Sequence, residues 1–241
     1  MRLDAFLRLL QKRLNEKGEN LSVDGDPGPK TQAALDKYDV EIVLTKAERP
    51  EAPPITGQSH AENPSYLEAK KYAGKNENDP KFNSFMSSFW AKVGLPKYKT
   101  IVGTSFAWCA LFIVGMQSEV GQKYIASASA KAQGKTGVEI DWKKNGIPKG
   151  AIIHINHGYD CKSSSNNHVT FADGDCTAEE LAKSGASFPG YGGNQSNQVK
   201  RSMYSVKEIC EVRWPLEVEK PGPIAKSLNC TGTSSGPEST R

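Results

Sequence analysis

Pro50, Pro53, Pro54 and Pro64 fall in a stretch, residues 39–64, that has lost all hydrophobic periodicity. Proline has no N–H and fixes its own φ, so neither a helix nor a central strand runs through such a segment. The chain of 241 residues is therefore expected to fold as two bodies joined by a semi-extended linker. His60 lies in that linker and reads as a solvated residue.

The shorter body, residues 1–38, reads as helical. Leu3, Phe6, Leu7, Leu10 and Leu14 recur at steps of three and four, the spacing of one helix face. Gly18 stands where the helix needs a stop. Asp24-Gly25 is a turn pair, and Pro27-Gly28-Pro29 forbids continuation of either regular structure. Thr31 then caps a last helix, with Ala34, Leu35 and Tyr38 on its buried side.

Charge excludes little. The net +4 is too weak to argue for nucleic acid. The first residues carry Arg2, Asp4, Arg8, Lys12 and Arg13, so no apolar leader core forms. No stretch approaches the about 18 apolar residues of a membrane span. The five cysteines, Cys109, Cys161, Cys176, Cys210 and Cys230, include no CxxC pair. The odd count leaves at least one thiol free.

Residues 65–215 carry the material of one α+β domain. Helices are predicted around Tyr66–Tyr72, Asp79–Val93 and Ser105–Glu119, and strands at Ala151–Ile155, His168–Ala172 and Ile209–Trp214. Helices first and strands afterwards argue against a parallel βα repeat. Residues 216–241, rich in Ser, Gly, Pro and Thr, read as a partly disordered tail.

Three segments carry chemistry. In GTSFAWCALFIVGM, Thr104 or Ser105 is a plausible N-cap, which places Cys109 in the first turns of a buried helix. The partial positive charge there favours thiolate, the reactive form. Taken alone, such a cysteine is more often a small buried hydrophobe. In NNHVTFADGD, His168 opens a strand with Val169 and Phe171 on one face and Thr170 and Ala172 on the other. In GYGGNQSNQV, Asn194, which follows two glycines, and Asn197 can both offer an acceptor to orient an imidazole, while Gly-Gly-Asn is also ordinary turn chemistry. A cysteine on a helix and a histidine on a later strand make a nucleophile and its base.

Two resemblances follow from these residues. Leu10-Gln11, Leu14, Gly18, Val23-Asp24-Gly25, Gly28-Pro29, Thr31, Ala34 and Tyr38 resemble the small three-helix peptidoglycan-binding domain. Pro27 stands where that family has an aromatic. In the larger body, Trp108-Cys109-Ala110-Leu111-Phe112, Pro148 to Ile152, His168-Val169, Gly192 to Val199 and Arg213-Trp214-Pro215 resemble the CHAP group of papain-like amidases and peptidases.

The resemblance implies a three-helix bundle linked to a papain-like cysteine hydrolase that cuts an amide bond in the peptide part of peptidoglycan, its partner. Cys109 would be the nucleophile, His168 the base and Asn194 the orienting residue, with Trp108 and Gln195 facing substrate. Such a mechanism needs no cofactor and no metal. Action on the wall without a leader implies release by a phage lysis system or a dedicated secretion route. The stretch HINHGYDCKSSSNN is longer than the family's connection there. It admits a zinc alternative through His154, His157, Cys161, His168 or Cys176, or a Cys161–Cys176 staple. A non-catalytic wall-binding or virion protein is the alternative from another class. A glycosidase would need two placed carboxylates, and none sits in a comparable motif.

Overall fold

Every residue from Cys109 to Gln117 is buried, so the helix that carries the free cysteine is enclosed on all sides rather than amphipathic. The computed structural model describes residues 3–24, 34, 60–103 and 107–230. The chain divides into two units, Met1–Ile55 and Thr56–Arg241.

In the first unit, helix α1 spans Leu3–Glu16. Gly18 ends it at φ 100°, a conformation that glycine adopts without strain, and Glu19 N–H closes back on the Leu14 carbonyl at 3.2 Å. Leu14, Leu21 and Ala34 form a small core. The Asn15 side chain clasps the Leu21 backbone at both its N–H and its carbonyl, each at 2.8 Å. Gln11 donates to Asp24 at 2.8 Å, tying the helix to the Val23-Asp24 turn. The expected cap at Thr31, the glycines Gly25 and Gly28, and Tyr38 lie outside the described residues.

The second unit is α+β, with a single six-stranded sheet ordered β1-β6-β2-β3-β4-β5, every pairing antiparallel. Helix α2 (Pro64–Lys70) starts behind an Asn63 cap and helix α3 (Pro80–Ser87) behind an Asp79 cap. Each has proline in its first turn, where a missing N–H costs nothing. A 3-10 segment continues α3 over Ser88–Val93. Helix α4 is Cys109–Glu119. The strands are β1 (Val138–Glu139), β2 (Ile152–Asn156), β3 (Asn167–Ala172), β4 (Ser187–Gln195), β5 (Gln198–Ser205) and β6 (Ile209–Trp214).

The sheet is buried on both faces. Ile152, Val169, Phe171 and Tyr191 pack with α4, and Ile153, Ile155, Ala172, Phe188, Tyr204, Val212 and Trp214 form a second core on the other side. This is why every residue of β2 is buried, with no alternation of buried and exposed positions.

Four expectations are corrected here. The hairpin of β4 and β5 replaces what reads as a glycine turn; only Ser196 and Asn197, at φ 50° and 61°, form the turn itself. Residues 216–230 are not a loose tail. Ile224 is buried, Leu228 pairs with Asp175, and Cys230 is bonded to Cys176. Cys161 pairs with Cys210, so the Cys161–Cys176 staple does not form. His60 belongs to the second unit: its Nε2 lies 2.8 Å from Asp175, and its ring meets Trp214 edge-on.

Candidate active site

Four of the five cysteines are held in disulfides, and Cys109 is the free one. It is the first residue of α4, with Trp108 as N-cap and no side-chain cap. The expected caps Thr104 and Ser105 lie outside the described residues. With no side chain closing the helix end, the amides of Cys109 and Ala110 are left to favour negative charge on the sulfur. The Val169 amide does the same from strand β3.

That third amide fixes where the sulfur lies. Along β3, Ala172 N–H donates to Ala151, on the β2 side. Alternation turns the Val169 N–H the other way, toward β4. Pairing between β3 and β4 covers Phe171↔Tyr191 and Ala172↔Gly190, so Val169 lies beyond the last pair. The Cys109 sulfur faces the Val169 amide beside the last β3–β4 pair. Gly193 lets the start of α4 come close to β4: a Cβ there would stand 2.3 Å from the Trp108 ring and 2.8 Å from Phe112 Cβ.

His168 adjoins Val169. It pairs with Ile155 and shares the sheet face of Thr170, away from α4. On that face its Nε2 lies 3.2 Å from the Tyr204 hydroxyl, and its ring is 6.0 Å from that of His157. Nδ1 is buried and has no hydrogen-bond partner. No hydrogen bond joins Cys109 to His168, although the two approach the same strand at neighbouring residues.

Burial sets both protonation states. It raises the Cys109 thiol to about 11, outweighing the three amides. It pushes His168 down to about 3, with the positive potential of His157 and His154 adding to the effect. At neutral pH the resting site holds a neutral thiol and a neutral imidazole.

The other expected site residues are placed differently. Asn194 does not orient His168; it sits at φ 59° in the bulge that breaks the β4–β5 register. Tyr204 is the residue whose hydroxyl meets the His168 ring instead. Gln195 does not face substrate: it is buried, its Nε2 donates to the Gly192 and Lys200 carbonyls, and its Oε1 accepts from Tyr204. Trp108 is likewise a core residue. It packs edge-on against Phe82 and Phe112, and its indole N–H donates to Glu77 at 3.1 Å. Tyr204 carries no motif of its own in the sequence. No alternation of apolar and polar residues along β5 singles it out.

The histidines of the inserted stretch are separated. His154 lies on the α4 face, where its Nε2 meets Asn167 at 2.8 Å, whereas His157 lies near His168 and meets Glu208 at 3.1 Å. Cys161 and Cys176 are disulfide-bonded and so supply no thiolate to a metal. The described residues contain no group of three or more His, Cys, Asp or Glu side chains arranged to hold one. The site's own chemical capacity is that of a thiol at a helix start, amides able to receive anionic charge, and an imidazole whose Nδ1 has no hydrogen-bond partner. No family model, curated protein or solved structure matches the chain.

Proposed function

We propose that the protein is a cysteine-dependent peptidoglycan hydrolase that a wall-binding N-terminal unit carries to its substrate. The observation that supports this most is the position of Cys109, the free thiol among four disulfide-bonded cysteines, at the start of a buried helix and against the amide next to His168. In this reading Cys109 loses its proton to Nδ1 of His168 and attacks an amide carbonyl of the wall peptide. The tetrahedral oxyanion is received by backbone N–H groups near the start of α4. His168 returns the proton to the leaving amine, and water then releases the acyl group. The bond is either a peptide bond or the link from muramic acid to L-alanine. Peptidoglycan as the substrate rests on the two sequence resemblances. The two disulfides suit work outside a reducing cytoplasm.

The test is mass analysis of fragments released from purified sacculi by wild type and by Cys109→Ala. Amide-cleaved muropeptides from wild type alone support the reading; equal release by the variant sinks the cysteine mechanism. A second reading is a wall-binding protein whose larger domain no longer cuts. It is favoured by the 2% exposure of Cys109 and by the missing Cys109–His168 hydrogen bond. Binding to sacculi with no fragment released by wild type would select it.

A further inference from the structure

The hydrogen-bond chain behind His168 assigns protons without any being observed. Gln195 is the fixed end. One end of its side-chain amide faces two carbonyls, those of Gly192 (3.2 Å) and Lys200. Carbonyls only accept, so that end is the NH2 and the other is the oxygen. The oxygen has no hydrogen to give, so the hydrogen between it and Tyr204 belongs to the phenol. A phenol has one hydrogen. Toward His168, 3.2 Å away, the Tyr204 oxygen therefore acts as acceptor, and Nε2 must donate. A neutral imidazole carries one N–H, so Nδ1 is bare. The opposite tautomer would bury an N–H at Nδ1, where no acceptor lies, and would set two lone pairs against each other at Tyr204.

We propose that Tyr204 and Gln195 are positioning residues that hold His168 as its Nε2–H tautomer and so keep Nδ1 as the nitrogen that receives the Cys109 proton. The role in proton transfer rests on the cysteine-hydrolase reading; the tautomer itself does not. When the S–H bond breaks, the proton goes to Nδ1 and the electron pair stays on sulfur. The imidazolium keeps its Nε2–H on the phenol oxygen, so no other hydrogen in the chain has to move. The sequence Asn194-Gln195 thus contributes its second amide, acting through a tyrosine from the neighbouring strand, where its first would have been the direct choice.

The experiment is long-range proton–nitrogen correlation NMR on the full chain labelled with 15N-histidine, at neutral pH. The His168 signals are identified by their loss in His168→Asn. Wild type should show Nε2 protonated and Nδ1 bare. In Gln195→Leu the phenol hydrogen is released and can turn to Nε2, so the Nδ1–H form should gain population. In Tyr204→Phe the preference should weaken, and kcat on sacculi should fall about tenfold or more with KM held. A Nδ1–H tautomer in wild type, or an unchanged Nε2–H tautomer in both variants, overturns the proposal. If Tyr204→Phe does not fold, the wild-type spectrum and Gln195→Leu still decide. Full activity of Cys109→Ala would remove the catalytic reading while leaving the tautomer result intact.

Discussion

Gly193 lies so close to Trp108 that a Cβ on the glycine would stand 2.3 Å from Cζ3 of the indole. The contact is with a rigid ring packed between Phe82 and Phe112, so no flexible chain end can move aside. Gly193→Ala should therefore push the start of α4 away from β4. Overpacking of this kind costs about 1 to 3 kcal/mol. Gly192→Ala meets Thr170, its nearest atom Oγ1 at 3.1 Å, and should cost less. Urea unfolding midpoints of the two variants check the order, and a Gly193→Ala protein as stable as Gly192→Ala would contradict it.

Acid should destabilise the protein through His168. Its folded pKa of about 3 is far below the ordinary 6.5, chiefly because burial disfavours the charged ring. The unfolded chain binds the proton more readily, so this contribution to stability is full above 6.5 and is lost as pH falls toward 3. His154, also lowered by burial first, acts with the same sign. His60 is raised, first by its hydrogen bond to Asp175, and acts with the opposite sign. The loss of unfolding free energy between pH 7 and pH 4 should be smaller in His168→Asn than in wild type. Equal losses would mean that His168 is not held neutral by the fold.

How much of this was readable in advance depends on what each residue shows to its neighbours in sequence. Helix α4 and strands β2, β3 and β6 are legible because their apolar residues are long enough to mark a pattern. The β4–β5 hairpin is hidden because Gly190, Gly192 and Gly193 have no side chain to alternate, and Gln195, Ser196 and Asn197 look like loop. Cys109 and His168 stand out by residue type. Tyr204, whose hydroxyl meets the His168 ring, does not, since it is brought there only through pairing such as Phe188↔Tyr204, a tertiary fact. The disulfide partners are equally invisible, because connectivity follows from the fold and not from spacing.

Residues just before α2 should matter to the larger unit, although they belong to a stretch that reads as linker. Asn63 is buried and serves four groups at once. Its Oδ1 accepts from Ser65 N–H (3.1 Å), Ser65 Oγ (2.9 Å) and Gln122 Nε2 (3.1 Å), and its Nδ2 donates to the Gly150 carbonyl (2.7 Å). Asn63→Ala removes a helix cap and strands buried donors and an acceptor. Each orphaned group costs about 1 to 3 kcal/mol. Thermal melting should show a marked drop for this variant and little change for Glu62→Ala, whose partner Lys149 is at the surface. A wild-type melting temperature in Asn63→Ala would show that the hydrogen-bond cluster is not formed.

The cysteine chemistry offers the most direct count. Cys161–Cys210 and Cys176–Cys230 leave one thiol, so the oxidised chain unfolded in guanidinium without reductant should react with one equivalent of a thiol reagent. With reductant the number should rise to the five cysteines of the sequence. In the folded protein at pH 8 the same thiol should react slowly, because it is buried and its pKa is raised to about 11, so little of it is thiolate. Its reaction should quicken as pH rises toward that value. The sign for stability runs the other way: the unfolded thiol ionises first, near 9.0, so the contribution of the buried neutral thiol is present below that pH and is lost as pH climbs to about 11. Cys109→Ala should abolish the labelling and flatten the alkaline loss. Three or five reactive thiols in the unreduced, unfolded chain would refute the pairing, and fast labelling at pH 8 would show that Cys109 is not enclosed.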